Sequence, residues 1–128
     1  MTTRGILDTS VVIARTVAGL PGESAISVAT LAELHFGVHV ARSAELRKGR
    51  LHRLAEIEQR FDALPIDDAV ARSYGSLAHD VVAAGREPRA RTMDILVAAT
   101  AHAHGLPLYT RNADDFQPFR RAIDIQIV

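Results

Sequence analysis

Apolar residues along the chain recur at two spacings that alternate from the N-terminus onward. Short uninterrupted apolar runs are typical of buried strands, whereas apolar positions three or four residues apart indicate one face of a helix. The short runs predict strands at residues 6–7, 25–28, 64–66, 108–110 and 123–128. The helical spacing predicts helices at residues 9–16, 30–41, 44–62, 67–84 and 93–104, with a loop or short helical turn at 111–119.

This alternation of strands and helices predicts an α/β fold, with helices packed on a central, mostly parallel sheet of about five strands. Pro65 is tolerated in an edge strand and not in a central one, so residues 64–66 are expected at an edge of the sheet. Residues 93–104 are apolar on nearly all sides, which is typical of a central helix. The chain shows no internal repeat and no domain boundary, so we expect one domain over residues 1–128.

Several polar residues and glycines mark the predicted helix ends. Thr30 and Thr92 are candidate N-caps, and the order Thr30-Leu-Ala-Glu33 fits a capping box. Asp67 and Asp68 open the helix that follows the third strand. Gly85 and Gly105 follow apolar helical segments, where glycine commonly terminates a helix.

Acidic residues occur at the end of strands or at the start of helices. Asp8 ends the first strand, Glu33 lies in the first turn of the helix after the second strand, and Asp94 lies in the first turn of the helix before the fourth strand. Three further polar residues follow the fourth strand: Asn112, Asp114 and Asp115. Ligand sites of open α/β sheets lie at the carboxyl ends of the strands. We therefore expect these side chains to converge on one cleft.

Each acid taken alone has an ordinary explanation. Asp8 could cap the helix that follows it, Glu33 could complete the capping box, and Asp94 is favoured at a helix N-terminus by the macrodipole. Together they present a different problem, because several carboxylates in one cleft repel each other and raise one another's pKa. A divalent ion bound through oxygen ligands, Mg²⁺ or alternatively Mn²⁺, would relieve that repulsion.

Composition limits the kinds of ligand, metal site and cellular location that the chain can have. The chain has 15 basic and 15 acidic residues, so RNA or DNA binding would have to depend on local clusters. It has no cysteine, which excludes disulfides and thiolate metal sites. No signal-peptide pattern or membrane-length apolar stretch is found, so a cytoplasmic protein is expected. Arg86, Arg89 and Arg91 lie just before Asp94 and are candidates for contact with an RNA backbone. A second basic stretch, residues 47–53, is farther from Asp94 in the sequence and is a weaker candidate for RNA contact.

With these residues in place, the chain resembles the PIN-domain nucleases, and specifically the VapC toxins of type II toxin–antitoxin pairs. The matching segments appear in the family's order across nearly the whole chain: Ile6-Leu-Asp8-Thr-Ser10, Thr30-Leu-Ala-Glu33-Leu34 with Gly37, Asp94-Ile-Leu-Val-Ala-Ala99, and Thr110-Arg-Asn112-Ala-Asp-Asp115-Phe116. Each segment alone is a weak signal, whereas the four together are specific.

The resemblance implies a PIN-like, flavodoxin-like three-layer fold and Mg²⁺-dependent cleavage of cellular RNA, often tRNA or ribosomal RNA, which blocks translation. It also implies a VapB-type antitoxin as partner and a homodimer. Carried over by position, Asp8, Glu33 and Asp94 are the core catalytic acids, and Asp8 and Asp94 are the metal ligands. Asp115 is then a fourth catalytic position, as an outer-shell or second-metal group.

Two polar residues complete the implied site. Thr110 and Asn112 are expected as supports. Asn112 stands where some family members carry an aspartate, so the choice between Asn112 and Asp115 for the fourth position stays open, as does the number of metals.

Two alternative functions compete with this interpretation. A PIN-fold protein-interaction module without catalysis would not need Asp8, Glu33 and Asp94. A phosphoacceptor receiver domain is also small, Asp-centred and Mg²⁺-binding, but it needs a lysine after its last strand. The single lysine of this chain, Lys48, lies elsewhere.

Overall fold

A five-stranded parallel sheet forms the centre of the molecule in the computed structural model, which describes residues 4–14 and 19–128. The strands are β1 (Arg4–Leu7), β2 (Glu23–Ser27), β3 (Asp62–Leu64), β4 (Leu108–Thr110) and β5 (Ile125–Ile127). The helices are α1 (Thr9–Val12), α2 (Val28–His39), α3 (Ala44–Arg60), α4 (Asp68–Ala83), α5 (Thr92–His104) and α6 (Ala113–Phe116). Two 3₁₀ turns, Pro88–Arg91 and Gln117–Phe119, precede α5 and follow α6.

The strand order is β3-β2-β1-β4-β5, and every pairing between neighbours is parallel. β1 is therefore central, with β2 on one side and β4 on the other. The chain builds one half of the sheet first and then crosses to the other half, so the order reverses between β1 and β4. Such a switch point opens a crevice at the carboxyl ends of the strands.

Helices cover both faces of the sheet, as the alternating pattern predicts. Ile6 points into the larger core, where α4, α5 and α6 pack on one face. Leu7, the next residue of β1, points to the opposite face and packs with Val11, Ile57 and their neighbours from α1, α2 and α3. Successive side chains of a strand point to opposite faces, so the two residues just before Asp8 anchor it to both layers.

Three helix ends agree with the sequence signals. Asp67 caps α4 by accepting a hydrogen bond from the Val70 amide at 3.0 Å. Gly85 has φ +77° and Gly105 has φ +62°, the left-handed conformation that glycine adopts without strain after a helix. No helix in the described ranges is long and apolar enough to cross a membrane.

The start of α2 differs from the prediction. The helix begins at Val28, with Ser27 as its N-cap, so Thr30 is inside the helix and does not form a capping box. Glu33 consequently lies in the second turn of α2 rather than the first. The Thr30 side chain is fully buried and contacts Thr9 instead. The second strand, predicted at 25–28, starts two residues earlier and ends one residue earlier, because β2 covers Glu23–Ser27.

Other boundaries are corrected by similar amounts. β3 is at an edge of the sheet, as expected, but ends at Leu64, so Pro65 follows the strand. Thr92 is the first residue of α5 and not its cap, because the 3₁₀ turn before it leads directly into the helix. α1 ends at Val12, and the predicted extension to residue 16 partly falls outside the described residues.

Candidate active site

Four carboxylates lie at the carboxyl edge of the sheet, at or beside the switch point. Asp8 directly follows β1, Asp115 is in α6 after β4, Asp94 is in the first turn of α5, and Glu33 is in α2. Burial, followed by the negative charges of Asp115, Asp8 and Glu33, raises the pKa of Asp94 to about 6. The structure thus brings together four of the five acids that the sequence expects in one cleft. The prediction for the fifth, Asp114, is wrong: its side chain is 86% exposed and pairs with Arg86, because it lies on the outer side of α6.

Asp8 is held in place by two hydroxyl groups. Ser10 Oγ donates to Asp8 Oδ2 at 2.7 Å, and Thr110 Oγ1 donates to the same oxygen at 2.9 Å. Asp8 is only 5% exposed, so these donors offset part of the cost of burying its charge. None of the hydrogen bonds between described residues involves Oδ1, which leaves that oxygen available for another ligand.

The hydroxyls that hold Asp8 are themselves fixed by the main chain after β4. The Arg111 amide donates to Ser10 Oγ at 3.1 Å, and the Asn112 amide donates to Thr110 Oγ1 at 3.0 Å. Asn112 therefore supports the site through its backbone, while the residue itself is exposed. Thr110 has the supporting position that the sequence predicts.

Glu33 is held from the opposite side of the cleft. Thr9 Oγ1 donates to Glu33 Oε1 at 2.7 Å and lies 3.0 Å from Thr30 Oγ1. Because the Thr9 proton is used toward the carboxylate, Thr30 is the donor in the second bond. Thr9 and Ser10 thus position two different acids, Glu33 and Asp8. The only sequence signal for this role is that both residues directly follow Asp8.

A buried polar contact joins the two helices that carry Glu33 and Asp94. Thr100 Oγ1 on α5 lies 3.0 Å from Ser27 Oγ and 2.8 Å from the Leu96 carbonyl oxygen. Ser27 Oγ also accepts from the Ala29 amide, which caps α2. The start of α2 is therefore fixed against α5, and both helices present their acids from a rigid base.

Arginines of the linker before α5 contact the segment after β4. Arg86 donates to the Asp114 carbonyl oxygen at 2.8 Å and to its carboxylate at 3.2 Å. Arg91 forms an ion pair with Asp115 at 3.6 Å. Arg89 is exposed, and its side chain forms no ion pair with a described residue. The prediction that these three arginines contact RNA stays a prediction, and the two ion pairs were not foreseen.

The donor set at this edge consists of oxygen atoms, which suits Mg²⁺ or Mn²⁺. Within the described ranges, no three acidic or histidine side chains are grouped as a complete metal cage would require. Mg²⁺ does not need such a cage, since it is usually bound through one or two carboxylates and keeps several waters. Asp8, with Oδ1 available, and Asp94, with its charge disfavoured by burial and by three other acids, fit that smaller ligand set.

Comparison with known proteins agrees with this arrangement. Residues 6–122 match the model of the PIN domain family. Ribonuclease VapC5 of Mycobacterium tuberculosis (strain ATCC 25618 / H37Rv) is 37% identical over 97% of this chain and 93% of that protein. Ribonuclease VapC8 of the same strain is 40% identical over 76% of this chain and 89% of its own length.

A solved structure has the same fold as this chain. The crystal structure of VapBC-5 from Mycobacterium tuberculosis, a member of the VapBC family of toxin–antitoxin systems, superposes with a TM-score of 0.84. The two chains are 36% identical, and the match covers 98% of each. The fold, the four converging acids and these similarities together place the chain in the PIN domain family, among its VapC proteins.

Proposed function

We propose that this protein is a metal-dependent endoribonuclease and the toxin of a VapBC-type pair. The observation that carries the proposal is the convergence of four carboxylates, Asp8, Glu33, Asp94 and Asp115, at one edge of the sheet. In keeping with it, burial and the three other carboxylates raise the pKa of Asp94 to about 6. Such crowding is costly unless a cation is bound, and perturbed acids cluster at functional sites. The choice of RNA as substrate is supported by the ribonuclease relatives.

In the proposed mechanism, Asp8 and Asp94 would hold the cation, Mg²⁺ or Mn²⁺. A bound divalent ion would polarise the scissile phosphate and make water a stronger nucleophile at neutral pH. Glu33 accepts a proton from that water or orients it, with its own position set by the Thr9 hydroxyl. Asp115 contributes as a fourth acid from the other side of the cleft. The expected substrate is structured cellular RNA, tRNA or ribosomal RNA, whose cleavage would block translation.

The test is an RNA cleavage assay with purified protein. Asp8→Asn should reduce cleavage by at least about 100-fold, and EDTA should do the same to the wild type until Mg²⁺ or Mn²⁺ is restored. Asp62→Asn is the matched control, because Asp62 is exposed and begins β3, away from the carboxyl edge. Full activity of folded Asp8→Asn, or of the wild type in EDTA, would refute the proposal.

A groove beside the cleft supports the second half of the proposal, an antitoxin partner. It has a volume of about 660 Å³ and is formed by α1, α2 and α3. Ile13 and Leu46 line it and are 58% and 50% exposed, and its charges are mixed, with Glu33 and Glu45 as well as Arg50 and Arg53. An antitoxin segment with apolar anchors and a basic residue near Glu33 would match this surface. The similarity to VapBC complexes supports such a partner.

Two leucines of α3 allow a matched test. Leu46 lines the groove and Leu51 does not, although they are 50% and 55% exposed on the same helix. Expression of the protein should slow growth, and co-expression of the neighbouring antitoxin gene should restore it. Leu46→Glu should weaken that rescue, whereas Leu51→Glu should not. If both variants are rescued like the wild type, the antitoxin does not use this groove.

The alternative functions are less well supported. Lys48 lies on the exposed surface of α3 and not after the last strand, where a receiver domain needs its lysine. An inactive PIN-fold interaction module does not require the two hydroxyl donors on Asp8 or the three other acids around Asp94.

A further inference from the structure

The ion pairs of the linker before α5 differ in what they do for the acidic cleft. Arg86 binds the carbonyl oxygen and the carboxylate of Asp114, a residue whose side chain is 86% exposed and is not one of the four cleft acids. Arg91 pairs with Asp115, which is one of them. Arg86 therefore fixes the start of α6, whereas Arg91 adds positive charge to the cleft.

The position of Arg91 is set by the backbone. It is the last residue of the 3₁₀ turn and the residue before α5, three positions ahead of Asp94. Its side chain is only 26% exposed, and that of Asp115 is 40% exposed. A partly buried arginine between two helices that each carry a cleft acid reduces the repulsion among the carboxylates when no other cation is bound.

We infer that Arg91 is the resident counter-ion of the cleft: it neutralises and positions Asp115 in the metal-free protein, and it opposes the binding of a divalent cation. The second part of this inference, the opposition to cation binding, rests on the proposed function, whereas the first part does not. The N–O distance of 3.6 Å is long for a charge-assisted hydrogen bond, so Asp115 can leave Arg91 at small cost. Arg91 acts through Asp115 and is a positioning residue.

The test compares Arg91→Ala with Arg89→Ala, which removes the same charge from the same linker without breaking an ion pair between described residues. Metal-free protein is melted at low salt and at about 1 M salt, where exposed charges are screened. Arg91→Ala should melt at a lower temperature than Arg89→Ala at low salt, and the difference should shrink at high salt. A side chain that served only in packing would give a difference independent of salt.

Calorimetric titration with Mn²⁺ or Mg²⁺ alone tests the second part. Arg91→Ala should bind the cation about threefold to tenfold more tightly than Arg89→Ala, because one positive charge near the site is gone. Arg91→Lys, which keeps the charge, should bind like the wild type. Weaker binding by Arg91→Ala would overturn the inference, as would melting curves and affinities that match those of Arg89→Ala.

The two proposals can fail separately. If the wild type binds neither cation, the proposed function is wrong, while the salt-dependent melting of Arg91→Ala still decides whether this arginine neutralises the cleft.

Discussion

The substitution Asp94→Asn should abolish activity and at the same time make the metal-free protein more stable. The pKa of Asp94 is raised from 3.8 to about 6, first by burial and then by Asp115, Asp8 and Glu33, with Arg91 opposing. In the unfolded chain the carboxyl loses its proton more easily. The contribution of Asp94 to stability is therefore most favourable below about pH 4, becomes less favourable as the pH rises to about 6, and stays at the lower value above it. Asp94→Asn removes this cost.

The size of the effect follows from the shift. At about 1.4 kcal/mol per pKa unit, a change from 3.8 to about 6 corresponds to at most about 3 kcal/mol. Asp94 is only partly buried, and solvent screening reduces the effect to about 1–2 kcal/mol. In a domain of this size, that raises the melting temperature by roughly 4–8 °C.

The assay is thermal unfolding of metal-free protein at pH 8 and at pH 4. Asp94→Asn should have a higher melting temperature than the wild type at pH 8 and the same melting temperature at pH 4. The exposed control Asp62→Asn should show no comparable gain. Added Mg²⁺ should then stabilise the wild type more than Asp94→Asn, since the amide is a poorer ligand. A variant that is less stable than the wild type at pH 8 without metal would refute the electrostatic reasoning.

Two further substitutions test a hydrogen bond at the site and a close contact between β1 and β4. Thr110→Val should lower the free energy of unfolding by about 1–3 kcal/mol, because the buried Asp8 loses one of its two donors. Gly5→Ala should cost about 1–3 kcal/mol, because its Cβ would lie 2.5 Å from the Tyr109 ring. Both are measured by denaturant unfolding, and a loss below about 0.5 kcal/mol in either variant would contradict the corresponding contact.

The order and type of the main elements could be predicted because hydrophobic spacing reports burial directly. Glycine and aspartate signals at Asp67, Gly85 and Gly105 also held, since each depends only on local backbone conformation. The capping box at Thr30 failed for a tertiary reason. Ser27 is a better-placed cap because its hydroxyl also contacts Thr100 on α5, a partner 73 residues away.

The acids of the site and one support, Thr110, could be predicted, whereas the supports Thr9, Ser10 and Arg91 could not. Asp8, Glu33 and Asp94 follow strands or lie near helix starts, so topology alone brings them to one edge. The pairing of Arg91 with Asp115 depends on the 3₁₀ turn before α5, which directs a side chain across to α6. A polar linker has no apolar periodicity from which that turn could be read.

The supports of the cleft differ in a way that bears on how it would work. Asp8 and Glu33 are held by neutral hydroxyls, which fix a carboxylate without cancelling its charge. Asp115 alone among the four acids has an arginine as ion-pair partner within the described residues. The cleft therefore keeps most of its negative charge, and RNA, which is also negative, would be repelled from it. A bound divalent cation would allow these fixed, charged acids to accept a phosphate substrate, and Asp115 would then exchange its pairing with Arg91 for the cation.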